Sequence, residues 1–135
     1  MLPEIFKKET KAKKILLADD EPDIAIIVSK ILKCNGYDVI TASDGQQCLE
    51  KAENEQPSLI LLDKKMPNMD GQTALTRLQA SNKTKNIPVI MLTSCTNGED
   101  IDLAQKCGAT DYIAKPFDHL VLLEKIARIL KTKVK

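Results

Sequence analysis

Residues 59–71 read LILLDKKMPNMDG, and this stretch decides which fold the chain can adopt. Four consecutive aliphatic residues are typical of a strand that is covered on both faces, as in a parallel sheet. The run ends on an acid, Asp63, and the Pro, Asn and Asp-Gly residues that follow favour a loop. A carboxylate at the end of a buried strand must be solvated, paired, bound to a metal or chemically used. The rest of the chain decides which of these applies.

Five apolar runs predict five strands. They are KILLA at 14–18, YDVIT at 37–41, SLILL at 58–62, IPVIML at 87–92 and TDYIA at 110–114. A helix is predicted after each strand, and the residues that open these helices are Pro22, Asp44, Asp70, Asn97 and Asp118. Strands that alternate with helices predict a doubly wound α/β domain with a parallel sheet and right-handed crossovers.

The spacing of apolar residues predicts the buried face of each helix. In the first helix, which ends at Asn35-Gly36, a single buried stripe is expected from Ile24, Ile27, Val28, Ile31 and Leu32. The inward residues of the other helices are Cys48, Leu49 and Ala52, then Ala74, Leu75 and Leu78, and finally Leu123, Ile126, Ala127 and Leu130. Leu122 and Ile129 lie off the last stripe, so they belong either to a crowded core edge or to a partner surface.

The composition limits the classes of function. A chain of 135 residues, 43% of them hydrophobic, has the size of one domain with one core. The net charge of +1 provides no global attraction to nucleic acid or to a membrane surface. No apolar run approaches the roughly 20 residues that span a bilayer, and the basic residues 1–13 lack the apolar core of a secretory signal. We therefore expect a cytoplasmic protein.

The cysteines and the single histidine do not form a recognisable metal site. No C-x-x-C pair is present, and His119 is expected to be exposed to solvent. Small structural or surface thiols are therefore predicted at all four cysteine positions, namely Cys34, Cys48, Cys95 and Cys107.

In a doubly wound domain the working site lies beyond the carboxyl ends of the strands. The residues there are Asp19, Asp20 and Glu21, then Asp63, then Thr93 and Ser94, and Lys115-Pro116. Two carboxylates about 4 Å apart repel by roughly 4 kcal/mol at an effective dielectric constant near 20. A hard divalent cation together with Lys115 would offset this repulsion, and carboxylate, carbonyl and water oxygens suit Mg²⁺.

A cation beside a carboxylate, with a lysine and a hydroxyl group nearby, is an arrangement for phosphoryl transfer. Asp63 is the best nucleophile because it stands alone at the end of the central strand, whereas the Asp19-Asp20 pair suits the metal. The Thr93 hydroxyl can donate a hydrogen bond to a phosphoryl oxygen. A flavodoxin-like flavin binder is disfavoured, since it needs a Gly-rich or hydroxyl-rich phosphate cradle where this chain has ADDEPD at 18–23.

Four motifs in this order resemble the receiver domain of two-component response regulators. They are ADDE at 18–21, LLDKKMPNMDG at 61–71, MLTS at 91–94 and DYIAKPF at 111–117. The resemblance implies a flavodoxin-like receiver fold over residues 14–131, with five helices and a five-stranded parallel sheet of order 2-1-3-4-5. Residues 1–13 are then a basic N-terminal extension, and residues 132–135 are a C-terminal tail.

The resemblance also implies a role for each matching residue. Asp63 would be the phosphoacceptor, and Lys115, followed by a cis proline, would pair with the phosphoryl oxygens. Thr93 and Tyr112 would be the switch residues that turn toward the phosphoryl group. The implied ligands of Mg²⁺, or of Mn²⁺ in its place, are Asp20, Asp63 and the backbone carbonyl of Lys65, with Asp19 acting through water.

In this interpretation the chain is a signalling phosphoacceptor and catalyses only its own phosphorylation and dephosphorylation. The donor would be a sensor histidine kinase or a histidine phosphotransfer protein. Phosphorylation would then change an output surface formed by the fourth predicted helix, the fifth strand and the last helix, or drive homodimerisation. No nucleic acid is expected to bind this domain. A stand-alone regulator and the receiver part of a larger protein fit equally well.

Two rival functions fit the same architecture. A phosphohydrolase with an aspartyl nucleophile would want a second acid where Lys65 stands, and an interaction domain independent of phosphorylation would not need the acid, threonine and lysine set. Lys64 and Lys65 depart from the family pattern, in which an apolar residue often follows the acceptor. Both could be solvated loop charges. Alternatively, Lys65, which like Cys95 lies at the predicted mouth of the site, could attract an anionic phosphodonor or alter the access of water.

Overall fold

The computed structural model describes residues 12–93 and 108–132 of the chain. Five parallel strands form one sheet in the order β2-β1-β3-β4-β5, which confirms the predicted strand order. The strands are β1 (Lys14–Ala18), β2 (Asp38–Ala42), β3 (Leu59–Asp63), β4 (Val89–Thr93) and β5 (Asp111–Ala114). The helices are α1 (Pro22–Cys34), α2 (Gly45–Glu55), α3 (Gly71–Ala80) and α4 (His119–Leu130). The helix predicted from Asn97 to Gly108 lies, except for Gly108, outside the described residues.

The core consists of two apolar layers, one on each face of the sheet. Leu16, Ile60 and Leu62 point into one layer with Ala74, Leu75 and Leu78 of α3. Leu17, Leu61 and Leu92 point into the other, against residues of α1 and α4 such as Val28, Leu32, Leu123 and Ile126. All five residues of β3 are buried, because this strand lies between β1 and β4 and is covered on both faces. This environment explains its uninterrupted aliphatic sequence.

Three helices begin at an aspartate whose side chain caps the first turn. Asp44 accepts a hydrogen bond from the Gln47 backbone N–H at 2.8 Å, and Asp70 accepts one from Thr73 at the same distance. Asp118 accepts one from Leu120 at 2.7 Å. These bonds satisfy backbone donors that have no partner within the helix, which fixes the starts of α2, α3 and α4 as the sequence predicts.

The predicted buried stripe of α1 is wrong at Ile27. Val28 and Leu32 are buried, and Ile24 and Ile31 are partly buried, but Ile27 is 55% exposed. Consecutive residues are about 100° apart around a helix, so Ile27 lies outside the face that Val28 and Leu32 bury against the sheet. The apolar face of α1 is therefore wider than the face that the domain buries.

In α4, the two residues that could belong either to the core edge or to a partner surface belong to the core. Leu122 is fully buried, and the partly buried Ile129 packs against the same layer. His119 is exposed, as predicted.

Among the cysteines in the described part of the chain, Cys48 is buried, which raises the pKa of its thiol to about 12, and Cys34 is exposed. Cys95 and Cys107 lie outside the described residues. No helix in the described ranges is long and apolar enough to span a bilayer.

Candidate functional site

Backbone hydrogen bonds fix the residues at the carboxyl edge of the sheet. Asp19 directly follows β1, and its N–H donates to the Ala42 carbonyl of β2 at 3.0 Å. The Lys115 N–H donates to the Thr93 carbonyl at 2.7 Å, which extends the β4–β5 pairing by one residue. Asp63 and Thr93 are the last residues of their strands, one position further along than the predicted strand ends. Rigid backbone therefore carries each of these side chains.

Lys115 lies between two buried carboxylates. Its Nζ is 3.1 Å from Asp19 Oδ2 and 3.2 Å from Asp63 Oδ1. The Asp19 side chain is fully buried, the Asp63 side chain is 7% exposed and that of Lys115 is 17% exposed. Since little water reaches these groups, their charges interact more strongly than they would at an open surface.

Burial and charge perturb the pKa values in this cluster. Burial raises the pKa of Asp63 above its ordinary value, the charge of Asp19 raises it further, and Lys115 only partly opposes both effects. Burial works against the charge of Lys115, but its bonds and charge interactions with Asp19 and Asp63 outweigh that cost and raise its pKa. Asp63 therefore remains costly to ionise even with a lysine in contact.

The side chains surround a cavity of about 210 Å³ at this edge of the sheet. Its lining residues are Asp20, Glu21, Asp63, Lys64, Lys65, Thr93 and Lys115. Tyr112 is not among these lining residues: it is partly buried against the core layer on the α3 side of the sheet, and its ring centroid is 5.7 Å from Lys125 Nζ on α4. The fold thus gathers residues from four loops and strand ends that are up to 95 positions apart in sequence between Asp20 and Lys115.

The donor set fits a hard divalent cation. Carboxylate oxygens of Asp19, Asp20 and Glu21 lie within 4.8 Å of one another, and Asp63 faces the same cavity as Asp20 and Glu21. The raised pKa of Asp63 indicates that Lys115 does not fully compensate the negative charge there. Among the described residues, the donors in this cluster are carboxylate oxygens, which suit Mg²⁺ better than softer metals.

Glu21 is the residue to which sequence reasoning assigned no role. It follows the Asp19-Asp20 pair and was grouped with it only as a strand-end acid. In the structure its backbone N–H donates to Asp19 Oδ1 at 2.9 Å, and its side chain lines the cavity. Its position directly before Pro22, at the start of α1, is the signal that could have identified it, because acids favour helix N-termini.

Comparisons with known proteins agree with this geometry. The family model of the response regulator receiver domain matches residues 15–127. The chain is 40% identical over 119 residues to the alkaline phosphatase synthesis transcriptional regulatory protein PhoP of Bacillus subtilis, which covers 88% of this chain and 49% of that protein. The chain thus spans about half the length of the curated relatives it matches first.

Solved structures show the same fold. The receiver domain of the sensor histidine kinase PA1611 from Pseudomonas aeruginosa, with a magnesium ion coordinated in its active site cleft, matches with a TM-score of 0.83 and 30% identity, over 90% of this chain and all of that one. The chemotaxis protein CheY4 of Vibrio cholerae matches with a TM-score of 0.83 and 34% identity, over 88% of this chain and 99% of that one.

This chain therefore belongs to the response regulator receiver domain family, whose members are signalling phosphoacceptors of two-component systems. The resemblance stated from the motifs is confirmed, and the Lys115-Pro116 peptide bond is cis, as it implied. The roles of individual site residues remain predictions.

Proposed function

We propose that Asp63 accepts a phosphoryl group from a histidine kinase or a histidine phosphotransfer protein, and that residues 14–131 form the phosphoaccepting unit. The observation that carries this proposal is the position of Asp63: it ends the buried central strand and faces one cavity with Asp20, Thr93 and Lys115. A rigid strand end holds the nucleophile in place, which removes much of the entropic cost of the reaction.

In the proposed reaction a carboxylate oxygen of Asp63 attacks the phosphorus of a phosphohistidine. The phosphorus–nitrogen bond breaks as the new phosphorus–oxygen bond forms, and the released imidazole takes up a proton. Lys115, already 3.2 Å from Asp63 Oδ1, pairs with a phosphoryl oxygen, and the Thr93 hydroxyl donates a hydrogen bond to another. The same residues serve dephosphorylation, in which water attacks the phosphorus, the bond between the phosphorus and the Asp63 oxygen breaks, and inorganic phosphate leaves.

Asp20, Asp63 and the Lys65 backbone carbonyl would hold Mg²⁺, or Mn²⁺ in its place, with Asp19 acting through water. When bound, the ion would neutralise charge on the phosphoryl oxygens. Asp19 contacts Lys115 directly, and Glu21 belongs to the same acidic cluster. These two residues would therefore tune the charge around the ligands.

The donor protein would dock beside the site, on the apolar groove between α1 and the start of α4. This groove, of about 480 Å³, is lined by Ile24, Ile27, Ile31, Phe117 and other residues, and it shares Glu21 and Lys115 with the cavity around Asp63. A protein seated there could bring a histidine to Asp63. We place this exchange in the cytoplasm, where the ATP that charges a histidine kinase is found.

Phosphorylation would act as a switch. The added charge at Asp63 would favour a conformation in which Thr93 and Tyr112 turn toward the phosphoryl group. The output would be read on β5 and α4, together with the preceding predicted helix outside the described residues, by a partner protein or by a second copy of the chain. At 42–52% exposure, Leu120 and Val121 of α4 offer apolar contacts for such a surface.

The test is the intact mass of the wild-type chain and of Asp63→Asn after incubation with Mg²⁺ and a small acyl phosphate. We expect one phosphoryl adduct on the wild type, none on Asp63→Asn, and none when Mg²⁺ is chelated. An adduct on both proteins would place the acceptor elsewhere. If neither gains mass although both are folded, and a histidine kinase also fails, the interaction domain independent of phosphorylation becomes the better interpretation.

A further inference from the structure

The loop between β3 and α3, residues 64–70, carries the Lys65 backbone carbonyl and folds back on itself. The Gly71 N–H donates to the Lys64 carbonyl at 2.8 Å, and the Met69 N–H donates to the Pro67 carbonyl at 2.7 Å. Asn68, at the tip, has a left-handed backbone with a φ of 66°. Asn tolerates this conformation better than most residues other than Gly. The loop therefore has a defined shape.

Asp44, at the start of α2, is bonded to this loop. Its Oδ1 accepts the capping hydrogen bond from the Gln47 N–H at 2.8 Å, while its Oδ2 accepts one from Asn68 Nδ2 at 2.9 Å. One carboxylate thus caps α2 and also holds Asn68, which is 24 positions further along the chain than Asp44.

The backbone next to this bond is also in close contact. A methyl group added at Gly45 would lie 2.7 Å from the Met69 Cβ and would collide with the Met69 carbonyl oxygen. Only Gly permits this approach without displacing the loop. The loop is therefore attached to the start of α2 at two adjacent points, Asn68 and Met69.

We propose that Asp44 is a positioning residue for the metal site: by holding Asn68, it keeps the loop that carries the Lys65 carbonyl fixed relative to Asp63. This inference rests on the proposed role of Lys65 as a metal ligand. Lys65 is two residues from Asp63 and three from Asn68, so the strand end anchors one side of the short segment and the Asp44–Asn68 bond anchors the other. Without the Asp44–Asn68 bond the segment around Lys65 would be held less firmly. Ion binding would then have to order it further, which weakens the affinity for the ion.

The test compares Mg²⁺ affinity in variants that remove the bond and spare its surroundings. Asp44→Ser keeps a good helix cap but is too short to reach Asn68, and Asn68→Gly keeps the left-handed backbone but removes the amide group. Asp118→Ser is the matched control, since it makes the same change at the cap of α4. Mg²⁺ dissociation constants come from calorimetric titration, and the free energy of unfolding comes from urea titration in EDTA.

We expect Asp44→Ser and Asn68→Gly each to raise the Mg²⁺ dissociation constant by about three- to tenfold, which is the effect of losing one hydrogen bond. The double variant should show no further increase, because both changes break the same bond. Asp118→Ser should bind Mg²⁺ like the wild type, because it makes the same change of helix cap but breaks no bond to the loop. Since Asn68→Gly leaves the charge unchanged, its effect separates positioning from simple loss of negative charge.

Two results would overturn the proposal. If the wild type binds Mg²⁺ and Asn68→Gly binds it equally well, Asp44 is only a helix cap and the proposed phosphoacceptor function is unaffected. If the wild type binds no Mg²⁺ at all, the proposed metal site fails, and the positioning role fails with it. The wild-type measurement alone distinguishes these two cases.

Discussion

Asp63 combines a fixed backbone with an environment that opposes its charge. It is 5% exposed, and the buried strand that ends at it cannot shift without disturbing both core layers. Burial and Asp19 raise its pKa, and Lys115 only partly compensates. An ionised Asp63 therefore destabilises the fold when no cation is bound. Such a loss of stability is common at sites where a function requires a buried charge.

The first prediction concerns the stability of Asp63→Asn. The pKa of the Asp63 carboxyl is about 3.9 in the unfolded chain and is raised by burial in the folded one, so ionised Asp63 lowers the free energy of unfolding at neutral pH. In EDTA we expect Asp63→Asn to be more stable than the wild type. The difference should shrink as the pH falls through the raised pKa and level off below about pH 3.9.

Urea unfolding at a series of pH values measures this difference. Asp38→Asn, which removes an exposed acid at the start of β2, controls for the loss of one negative charge. Adding Mg²⁺ should stabilise the wild type more than Asp63→Asn. A stability gain that is the same at every pH would contradict the burial argument.

The second prediction concerns Lys65, which is exposed and lines the mouth of the cavity. A unit charge acting on an anion over about 8 Å of water contributes roughly 0.5 kcal/mol. We expect Lys65→Gln to slow phosphorylation by an acyl phosphate about two- to fivefold at low salt, and the difference to disappear at about 1 M salt, where charges are screened.

The rate of adduct formation, followed by intact mass, measures this effect. Lys83→Gln is the control, because Lys83 is also exposed but lies against a cavity at the opposite, amino-terminal edge of the sheet. An equal rate for Lys65→Gln and the wild type at low salt would leave Lys65 as a solvated loop charge.

At the scale of elements, α1 carries two exposed isoleucines in addition to its buried face. Ile26 and Ile27 are adjacent in sequence and each is 55% exposed, yet they line different cavities. Ile27 faces the groove beside the site, together with Phe117, whereas Ile26 lies with Pro22 and Thr41 on the other side of the helix. The two residues therefore form a natural matched pair for testing the groove.

The third prediction concerns phosphotransfer from a histidine kinase that phosphorylates the wild type: Ile27→Asn should slow it by at least about fivefold, and Ile26→Asn far less. Removing an apolar side chain from the centre of an interface commonly costs more than about 1 kcal/mol of binding. Both variants should react normally with a small acyl phosphate, because neither residue touches the cavity around Asp63.

Phosphotransfer time courses with the purified kinase provide the measurement. Both variants should unfold within about 0.5 kcal/mol of the wild type, as is usual for exposed positions. Equal rates for Ile26→Asn and Ile27→Asn would mean that the donor docks elsewhere.

At the scale of the whole molecule, the sheet separates two core layers, and its strands differ in protection. β1 and β3 are paired on both sides and covered on both faces, whereas β2 and β5 are edge strands with partly exposed residues. Asp19 and Asp63 thus lie at the ends of strands that are paired on both sides, whereas Lys115 directly follows the edge strand β5. We expect the backbone at Asp63 to open less often than the backbone at Lys115.

The fourth prediction follows from this difference. In native-state hydrogen exchange, the hydrogen-bonded amides of β1 and β3 should exchange only through global unfolding, while those of β5 should exchange at least about tenfold faster through local opening. Exchange measured by NMR over a range of low urea concentrations separates the two modes. Equal protection of β3 and β5 would contradict the proposed difference in mobility.

Most of the fold and the candidate residues of the site could be predicted from the sequence. Aliphatic runs, aspartate caps and the acids after the strands are local signals that predict the five strands and the starts of the helices. The order of the strands agrees with the structure, but it was implied by the resemblance to receiver domains and not by these local signals. Only the tertiary structure decided that Ile27 is exposed, that Lys115 contacts both Asp19 and Asp63, and that Asp44 holds Asn68. The physical reason is that a local pattern specifies the apolar or polar character of a face, whereas contacts between distant residues depend on how the elements pack.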